Sequence, residues 1–374
     1  MKILLVGNLP EDGQESMARF TALLHDGLRA RGHSVAIIAP TLHLARLAGP
    51  YRYRGLPKYL GYFDKFGLFP RILRQHIRNT RPDVVHFTDQ AGAVYSAAAR
   101  GTRMLATCHD LLQVRAARGE FEHQAVGLLG RRYQEWILAH LARLPRIVCI
   151  STKTRADVLR LTGQAPDRVS LVPNALNFPY QPVTAATAQQ RLAGLAVAGE
   201  KFLLHVGGSQ WYKNRPGVLA IYAELRRRLP DLPALVLVGR PFSAAEAAEI
   251  SRRRLHGQMI RLSDVSNIEL EALYSLAEGL IFPSWEEGFG WPIAEAQACG
   301  CPVFTSDRAP MNEVGGTAAV YFDPADPAGA AKIIALAWPD RPAQRTRGLL
   351  ESARWQPEIM LTAYEKIYRE LAPA

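Results

Sequence analysis

Two carboxylates eight positions apart, Glu287 and Glu295, bracket a glycine-rich turn in the run Phe282-Pro283-Ser284-Trp285-Glu286-Glu287-Gly288-Phe289-Gly290-Trp291-Pro292-Ile293-Ala294-Glu295-Ala296. Apolar Leu280, Ile281 and Phe282 before the turn predict a strand, and Pro292 after it predicts the start of a helix. A helix N-terminus behind a glycine turn is an anion site, because backbone N–H groups without an intrahelical acceptor and the helix dipole point at one spot. Glu287 lies at the mouth of that site and Glu295 about one turn inside the helix. Carboxylates placed there can accept hydrogen bonds from sugar hydroxyls. The expected ligand therefore has a phosphate end and a polyol end, as a nucleotide-sugar does.

A second phosphate-type loop is Val206-Gly207-Gly208-Ser209-Gln210-Trp211-Tyr212-Lys213-Asn214, between a strand and a helix. Small residues at Gly207 and Gly208 let the backbone approach a phosphate, and Lys213 reaches over it as a point charge. His109, in Thr107-Cys108-His109-Asp110-Leu111, ends an apolar strand, where an open α/β sheet touches its ligand. Asp110 caps the element that follows. His86 ends another strand and is read as structural or acceptor-facing. Gly13, followed by Gln14, lies between the first strand and its helix. Val172-Pro173-Asn174-Ala175-Leu176-Asn177 reads as a hinge.

At these residues the chain resembles the large retaining glycosyltransferase family built on the two-domain GT-B fold (glycosyltransferase family 4-like, glycosyl transferases group 1). That family carries an E-x7-E element within EGFG-x-P-x-x-EA. The match here is Glu287-Gly288-Phe289-Gly290-Trp291-Pro292-Ile293-Ala294-Glu295-Ala296. Cys299-Gly300-Cys301-Pro302-Val303 and Glu313-Val314-Gly315-Gly316 also fit, and the likeness runs along most of the chain. The resemblance implies transfer of a hexose from a nucleotide-diphosphate sugar to a glycan or lipid-linked hydroxyl, with retention. It implies catalytic roles for His109, Glu287 and Lys213. Donor contacts are implied at Gly13, Gly207, Gly208, Lys213, Val265, Glu287, Gly288, Phe289, Gly290 and Glu295. Acceptor contacts are implied at Gln14, His86 and His109. Ser266-Asn267 resembles the segment that cradles the base, which the Val265 backbone would read. The family's usual arginine in the loop before Lys213 is missing: its two places hold Gly208 and Tyr212, and Arg215 or Arg240 are the candidates to replace it. No Asp-x-Asp motif stands at a strand end, so neither a metal nor a cofactor beyond the nucleotide-sugar co-substrate is expected. The Trp-Tyr-Lys-Asn loop with the Gly-Trp-Pro variant resembles bacterial polysaccharide mannosyltransferases, a lean towards mannose from GDP-mannose. The alternatives are a nucleotide-sugar epimerase of the same architecture or a non-catalytic nucleotide-sugar binder, and product formation separates the three.

The elements that must position these groups follow from the pattern. Short apolar strands alternate with helices in both halves of the 374-residue chain, which predicts parallel, doubly wound sheets. Strands are expected at Ile3–Val6, Val35–Ala39, Asp83–Phe87, Met104–Cys108 and Arg146–Ile150. In the second half they are expected at Phe202–Val206, Ala234–Val238, Leu280–Phe282, Pro302–Thr305 and Ala319–Phe322. The domain reading is 1–178 (Rossmann-like, acceptor), 179–199 (linker), 200–356 (Rossmann-like, donor) and 357–374, a helix returning to the first domain as in GT-B proteins. Two such halves would place a cleft between them.

Hydrophobic content of 48% with 21% charged residues describes an ordinary globular protein. No apolar run reaches the ~18 residues of a transmembrane helix, and the start lacks the features of a secretory signal. Cys108, Cys149, Cys299 and Cys301 show no metal-ligand spacing, so a reduced cytoplasmic protein is expected. The net charge of +11 is uneven: residues 1–180 hold 25 Lys/Arg against 13 Asp/Glu, and the remainder 20 against 21. Residues 51–81 carry eight basic residues and seven aromatics, with Asp64 the single acid. That mixture suits an anionic membrane surface, making peripheral association with the inner face of the membrane the expectation. No nucleic-acid motif accompanies it, and no nucleic-acid partner is expected.

Overall fold

The computed structural model describes residues 1–49, 55–122, 124–197 and 201–371. The chain divides into two units, residues 1–177 with 357–374, and residues 178–356.

In the first unit, strands β1 (Lys2–Val6), β2 (Ser34–Ile38), β3 (Val84–Phe87), β4 (Arg103–Cys108), β5 (Ile147–Cys149) and β6 (Val169–Leu171) form one parallel sheet in the order β2-β1-β3-β4-β5-β6. Helices α1 (Glu15–Ala30), α2 (Leu44–Leu47), α3 (Gly55–Phe63), α4 (Phe69–Thr80), α5 (Leu112–Ala117), α6 (Leu128–Leu141) and α7 (Thr152–Thr162) connect them. One π-helical turn, Asp64–Leu68, joins α3 to α4. Strand β1 is buried from Ile3 to Val6 and β3 throughout, which is why both read as short, mainly apolar runs, with His86 the polar residue inside β3. Leu73 and Ile77 of α4 and Ile137 and Leu141 of α6 complete one core with Val85, Phe87 and Ala106.

In the second unit, β7 (Phe202–Val206), β8 (Ala234–Val238), β9 (Met259–Leu262), β10 (Gly279–Phe282), β11 (Val303–Ser306) and β12 (Val320–Phe322) form a second parallel sheet, ordered β12-β11-β10-β7-β8-β9. Its helices are α8 (Ala185–Arg191), α9 (Arg215–Arg228), α10 (Ala244–Arg252), α11 (Asn267–Leu276), α12 (Trp291–Ala298), α13 (Met311–Gly315), α14 (Pro327–Ala337) and α15 (Arg341–Ser352). The last helix, α16 (Pro357–Leu371), belongs to the first unit. There the Tyr364 and Tyr368 hydroxyls meet Thr107 Oγ1 at 2.8 Å and His86 Nδ1 at 2.7 Å.

Two expectations change. The segment expected as a linker is, over its described part, the front of the second unit. Thr184 caps α8, Arg191 pairs with Glu271 at 2.5 Å, and the Gln181 N–H donates to Glu271 at 3.0 Å, so α11 holds this segment down. Strands β6 and β9 were not anticipated. Both are edge strands with only part of their length buried, so neither shows the apolar run of a central strand.

Candidate active site

The sheet order of the second unit places β10 beside β7, so the loops leaving their C-terminal ends are neighbours. Three contacts clip those loops together. The Trp285 N–H donates to the Tyr212 carbonyl at 2.7 Å, and Asn214 Nδ2 donates to the Pro283 carbonyl at 2.9 Å. Lys213 Nζ donates to both oxygens of Glu287, at 2.7 and 2.9 Å. Asn214 adopts the left-handed conformation, φ 51°, and its Oδ1 caps α9 at the Gly217 N–H. The Lys213-Asn214 pair is thus a single device: the asparagine fixes the turn and the lysine projects from it.

Glu287 is 7% exposed, and Ser284 Oγ donates to its Oε1 at 2.8 Å. The Ser284 carbonyl in turn accepts from Ser306 Oγ of β11 at 2.7 Å. Lys213 Nζ also stands over the Phe282 and Tyr212 rings, 5.2 and 5.6 Å from their centroids. Gly290 enters α12 with φ 98°, a conformation open to glycine and costly to other residues. Pro292 has no N–H to offer, and the Ile293 N–H is already bonded to the Gly290 carbonyl at 3.0 Å. Phe289 is buried against Trp355, 5.2 Å between centroids, which anchors the turn between Gly288 and Gly290. Glu295 is buried one turn into α12, where the Tyr274 hydroxyl of α11 donates to its Oε2 at 2.9 Å. The Val265 backbone directly precedes α11, whose Ser266 and Glu269 form a capping box.

Two groups of this site escaped sequence reasoning. His205, on β7, is wholly buried, and its Nδ1 donates to the Ile281 carbonyl at 3.0 Å. Its Nε2 has no partner among the described residues, and burial pushes the ring's pKa down to about 4. A Cβ on Gly207 would stand 3.1 Å from that nitrogen. Gly239, at the end of β8, was missed as well. A Cβ there would meet the Gly207 carbonyl oxygen at 2.3 Å, so β8 can approach the phosphate-type loop only through glycine. The available signals were a histidine inside an apolar strand and a glycine directly after one.

The two candidate replacement arginines separate. Arg215 is buried, its Nη1 donates to the Arg240 carbonyl at 3.1 Å, and its Nε lies 2.9 Å from Glu246 Oε1. That Nε and Nη2 make no aligned hydrogen bond, so the attraction to Glu246 is one of charge. Burial lowers the guanidinium's pKa, and Glu246 opposes the shift. Arg215 therefore braces the loop after β8. Arg240, in that loop, is exposed.

In the first unit, His109 ends β4. Its Nε2 donates to the Thr88 carbonyl at 2.9 Å, so Nε2 carries the hydrogen and Nδ1 is the acceptor. Nδ1 is buried with no partner among the described residues, and burial pushes the ring's pKa down to about 4. Gln90 Oε1 accepts the His109 N–H at 3.0 Å, and Phe20 stands edge-on at 4.7 Å. His86 has no exposed surface. Its Nε2 meets Thr107 Oγ1 at 2.8 Å and its Nδ1 meets Tyr368, and burial lowers its pKa to about 3. The geometry therefore answers the open reading of this residue as structural: it ties β3 to α16 and presents no atom to an acceptor. Gly13 has φ 65° and closes a 3₁₀ turn onto the Pro10 carbonyl, while Gln14 is hydrogen-bonded to Asn8. The acids beside Gly13 are engaged, Glu11 with Arg46 at 3.0 Å and Asp12 with Lys65 at 2.7 Å. In the hinge-like segment, neither polar atom of buried Asn174 has a partner among the described residues. Among those residues, no three His, Cys, Asp or Glu groups converge to hold a metal ion.

Two six-stranded parallel α/β units of this kind are the two-domain GT-B fold. The family model described as Glycosyltransferase Family 4 matches residues 17–178, and Glycosyl transferases group 1 matches residues 188–348. The chain belongs to this family. It is 32% identical over 186 residues to the O-antigen chain mannosyltransferase B of Escherichia coli, covering 48% of each chain. It is 28% identical over 296 residues to a D-inositol 3-phosphate glycosyltransferase of Thermobispora bispora, covering 72% of this chain and 67% of that one. The chain spans about half or less of the length of the mannosyltransferases it matches first. In fold it is similar to the sucrose-phosphate synthase of Thermosynechococcus elongatus, with a TM-score of 0.77 and 21% identity over 99% of this chain and 98% of that one. It is also similar to the Anabaena protein HepE in complex with UDP and glucose, with a TM-score of 0.72 and 15% identity over 98% and 99%.

Proposed function

We propose that the protein is a retaining hexosyltransferase, mannose being the favoured sugar, acting from a nucleoside-diphosphate donor on a glycan or lipid-linked hydroxyl. Its place would be the synthesis of a bacterial surface polysaccharide or glycolipid, at the cytoplasmic side of the membrane. The reading rests on the loop pair in which Lys213 and Glu287 share one polar niche beside the α12 turn. The mannosyltransferase relatives support the choice of sugar.

In this reading Lys213 and backbone N–H groups of the turns at Gly207–Gly208 and Gly288–Gly290 hold the diphosphate. Glu287 accepts from sugar hydroxyls, Glu295 from the ribose, and the Val265 backbone meets the base. In the first unit, His109 is the residue the family resemblance assigns to the reaction, with Nδ1 as its acceptor atom. The bond from the anomeric carbon to the phosphate oxygen breaks, and a bond to the acceptor oxygen forms on the same face. The acceptor proton passes to the departing phosphate. No protein nucleophile and no metal is called for; the protein supplies position and charge stabilisation.

The test is a melting screen of the purified chain against UDP, GDP, ADP and their sugar nucleotides, followed by product analysis with the stabilising donor. A ligand that binds only the folded state raises the melting temperature. GDP and GDP-mannose should shift it most. No shift with any nucleotide would overturn the donor site, and a shift without a transferred sugar would overturn transferase activity.

A further inference from the structure

The segment 51–81 drew attention as basic and aromatic; its residues 51–54 lie outside the described residues. The tertiary structure changes its composition as seen by solvent. Asp64, its lone acid, is 1% exposed and accepts the N–H groups of His43, Leu44 and Ala45, capping α2. Lys65 is drawn inward to Asp12. What remains outside from Gly55 to Arg81 is basic, apolar or uncharged: neutral Gln75, Asn79 and Thr80 are exposed on α4 beside the arginines, and no acid is. Leu56, Tyr59 and Phe63 recur along α3 at the spacing of one helix face, and are 63%, 65% and 53% exposed. Lys58 lies over the Tyr62 ring, its ammonium 5.7 Å from the centroid. On α4, Arg71, Arg74 and Arg78 are exposed opposite the buried Leu73 and Ile77.

The sheet also brings a distant element to this face. Tyr62 is 6.1 Å from Phe66, and Phe66 is 5.8 Å from Tyr133 of α6, between ring centroids. One turn before Tyr133, on the same side of α6, is Leu129, 77% exposed and preceded by exposed Leu128. Arg131 and Arg132 follow, also exposed. Exposed large apolar side chains so concentrated, with basic residues around them, exceed what single surface leucines explain.

We propose that α3, the outer side of α4 and the start of α6 form a docking face for an anionic lipid bilayer. The reading deepens the proposed function, since a membrane-held acceptor would be delivered to the unit that carries the face. Charge selects the partner. Residues 1–180 carry 25 basic against 13 acidic residues, which attracts anionic headgroups. Leucine and aromatic side chains that protrude from short helices enter the headgroup and acyl boundary, with the tyrosine hydroxyls left at its polar edge. Among the described residues no helix is long and apolar enough to cross a membrane, so the attachment is to the surface.

Sedimentation of the full chain with vesicles of phosphatidylcholine, alone or mixed with phosphatidylglycerol, tests this. Binding should require the anionic lipid and weaken as salt is raised. Combined Leu56→Ser, Tyr59→Ser and Phe63→Ser should abolish it. Arg71→Glu with Arg74→Glu should weaken it about tenfold or more, and Leu129→Ser should weaken it although it lies far away in sequence. These variants should keep the wild-type melting temperature and its shift with nucleotide, so a failed docking face is distinguishable from a failed donor site. Three results would overturn the proposal: no sedimentation with the mixed vesicles, unchanged binding by the variants, or concentration-dependent self-association that the same variants remove. Capture on single-stranded nucleic acid in place of vesicles would do so as well.

Discussion

Lys213 Nζ is within 2.9 Å of both carboxylate oxygens of Glu287, a residue 74 positions further along the chain. The ammonium that is to meet a diphosphate is thus already shared with the carboxylate that is to meet the sugar. Neutralising the carboxylate should free the lysine and remove a negative charge from the phosphate site. Glu287→Gln, which keeps the shape and the Ser284 contact, should bind nucleoside diphosphate roughly fivefold more tightly, about 1 kcal/mol. The same change should lower transfer by about 10²-fold, as the loss of one transition-state contact does. Titration calorimetry and product formation measure the two effects. Weaker diphosphate binding with wild-type turnover would sink the assignment.

Lys213→Ala strands a buried carboxylate. It should abolish most transfer and cost about 3 kcal/mol of stability, as breaking a buried pair does. Lys213→Ala with Glu287→Ala should recover much of that stability without recovering activity. Chemical denaturation of the single and double variants closes the cycle.

Arg215 and Arg240 are predicted to part company. Arg215→Ala removes the partner of Glu246 and the brace on the loop after β8, and should destabilise the second unit by about 2–3 kcal/mol. Arg240 is exposed, so Arg240→Ala should leave the melting temperature near wild type. If Arg240 supplies the second cation for the diphosphate, its loss should weaken nucleotide binding about tenfold. An unchanged nucleotide affinity in Arg240→Ala would remove it from the site.

Tyr274→Phe deletes only the hydroxyl that donates to Glu295. A hydrogen bond to a buried charged group contributes about 1.5–3 kcal/mol. The variant should lose stability in that range and, because Glu295 loses its orientation, bind nucleotide more weakly. Unimpaired affinity across the nucleotide series would separate Glu295 from the ribose.

Three buried histidines set an acid limit. Burial pushes the pKa of His86 down to about 3 and those of His109 and His205 to about 4. In the unfolded chain each ring protonates near its ordinary value of about 6.5. The unfolded state therefore binds more protons below that value, and stability falls as the pH drops through about 6.5 towards 4. Each ring accounts for about 2 kcal/mol by about pH 5. Urea unfolding at neutral and mildly acidic pH should show this loss, and His86→Gln should flatten the slope for the first unit. An identical slope in that variant would place the effect elsewhere.

Much of the architecture was legible. Buried parallel strands are apolar over most of their length, so β1, β4, β7 and β8 announced themselves, and Gly290 with Pro292 marked the entry to α12. Edge strands β6 and β9 did not, since Ser170 and Arg261 interrupt the apolar signal where a strand has one neighbour and a partly open face. Helix α15 is hard to read for a related reason: it is largely polar, with Gln344, Gly348 and Ser352 on its buried side.

The sequence by itself determined the chemistry on offer: two glutamates around a glycine turn, a lysine after a glycine loop, a histidine at a strand end. Those are local patterns, and local patterns report burial and turn geometry. Which charge neutralises which was decided only by the tertiary structure. Sheet order sets β7 beside β10 and thereby Lys213 against Glu287, although 74 positions separate them. The same holds for Arg215, spent on Glu246; for His86, enclosed by Thr107 and Tyr368; and for Asp64, turned in to cap α2. Each of these groups takes its role from partners that the chain brings up from elsewhere, and no residue's neighbours in sequence carry that information.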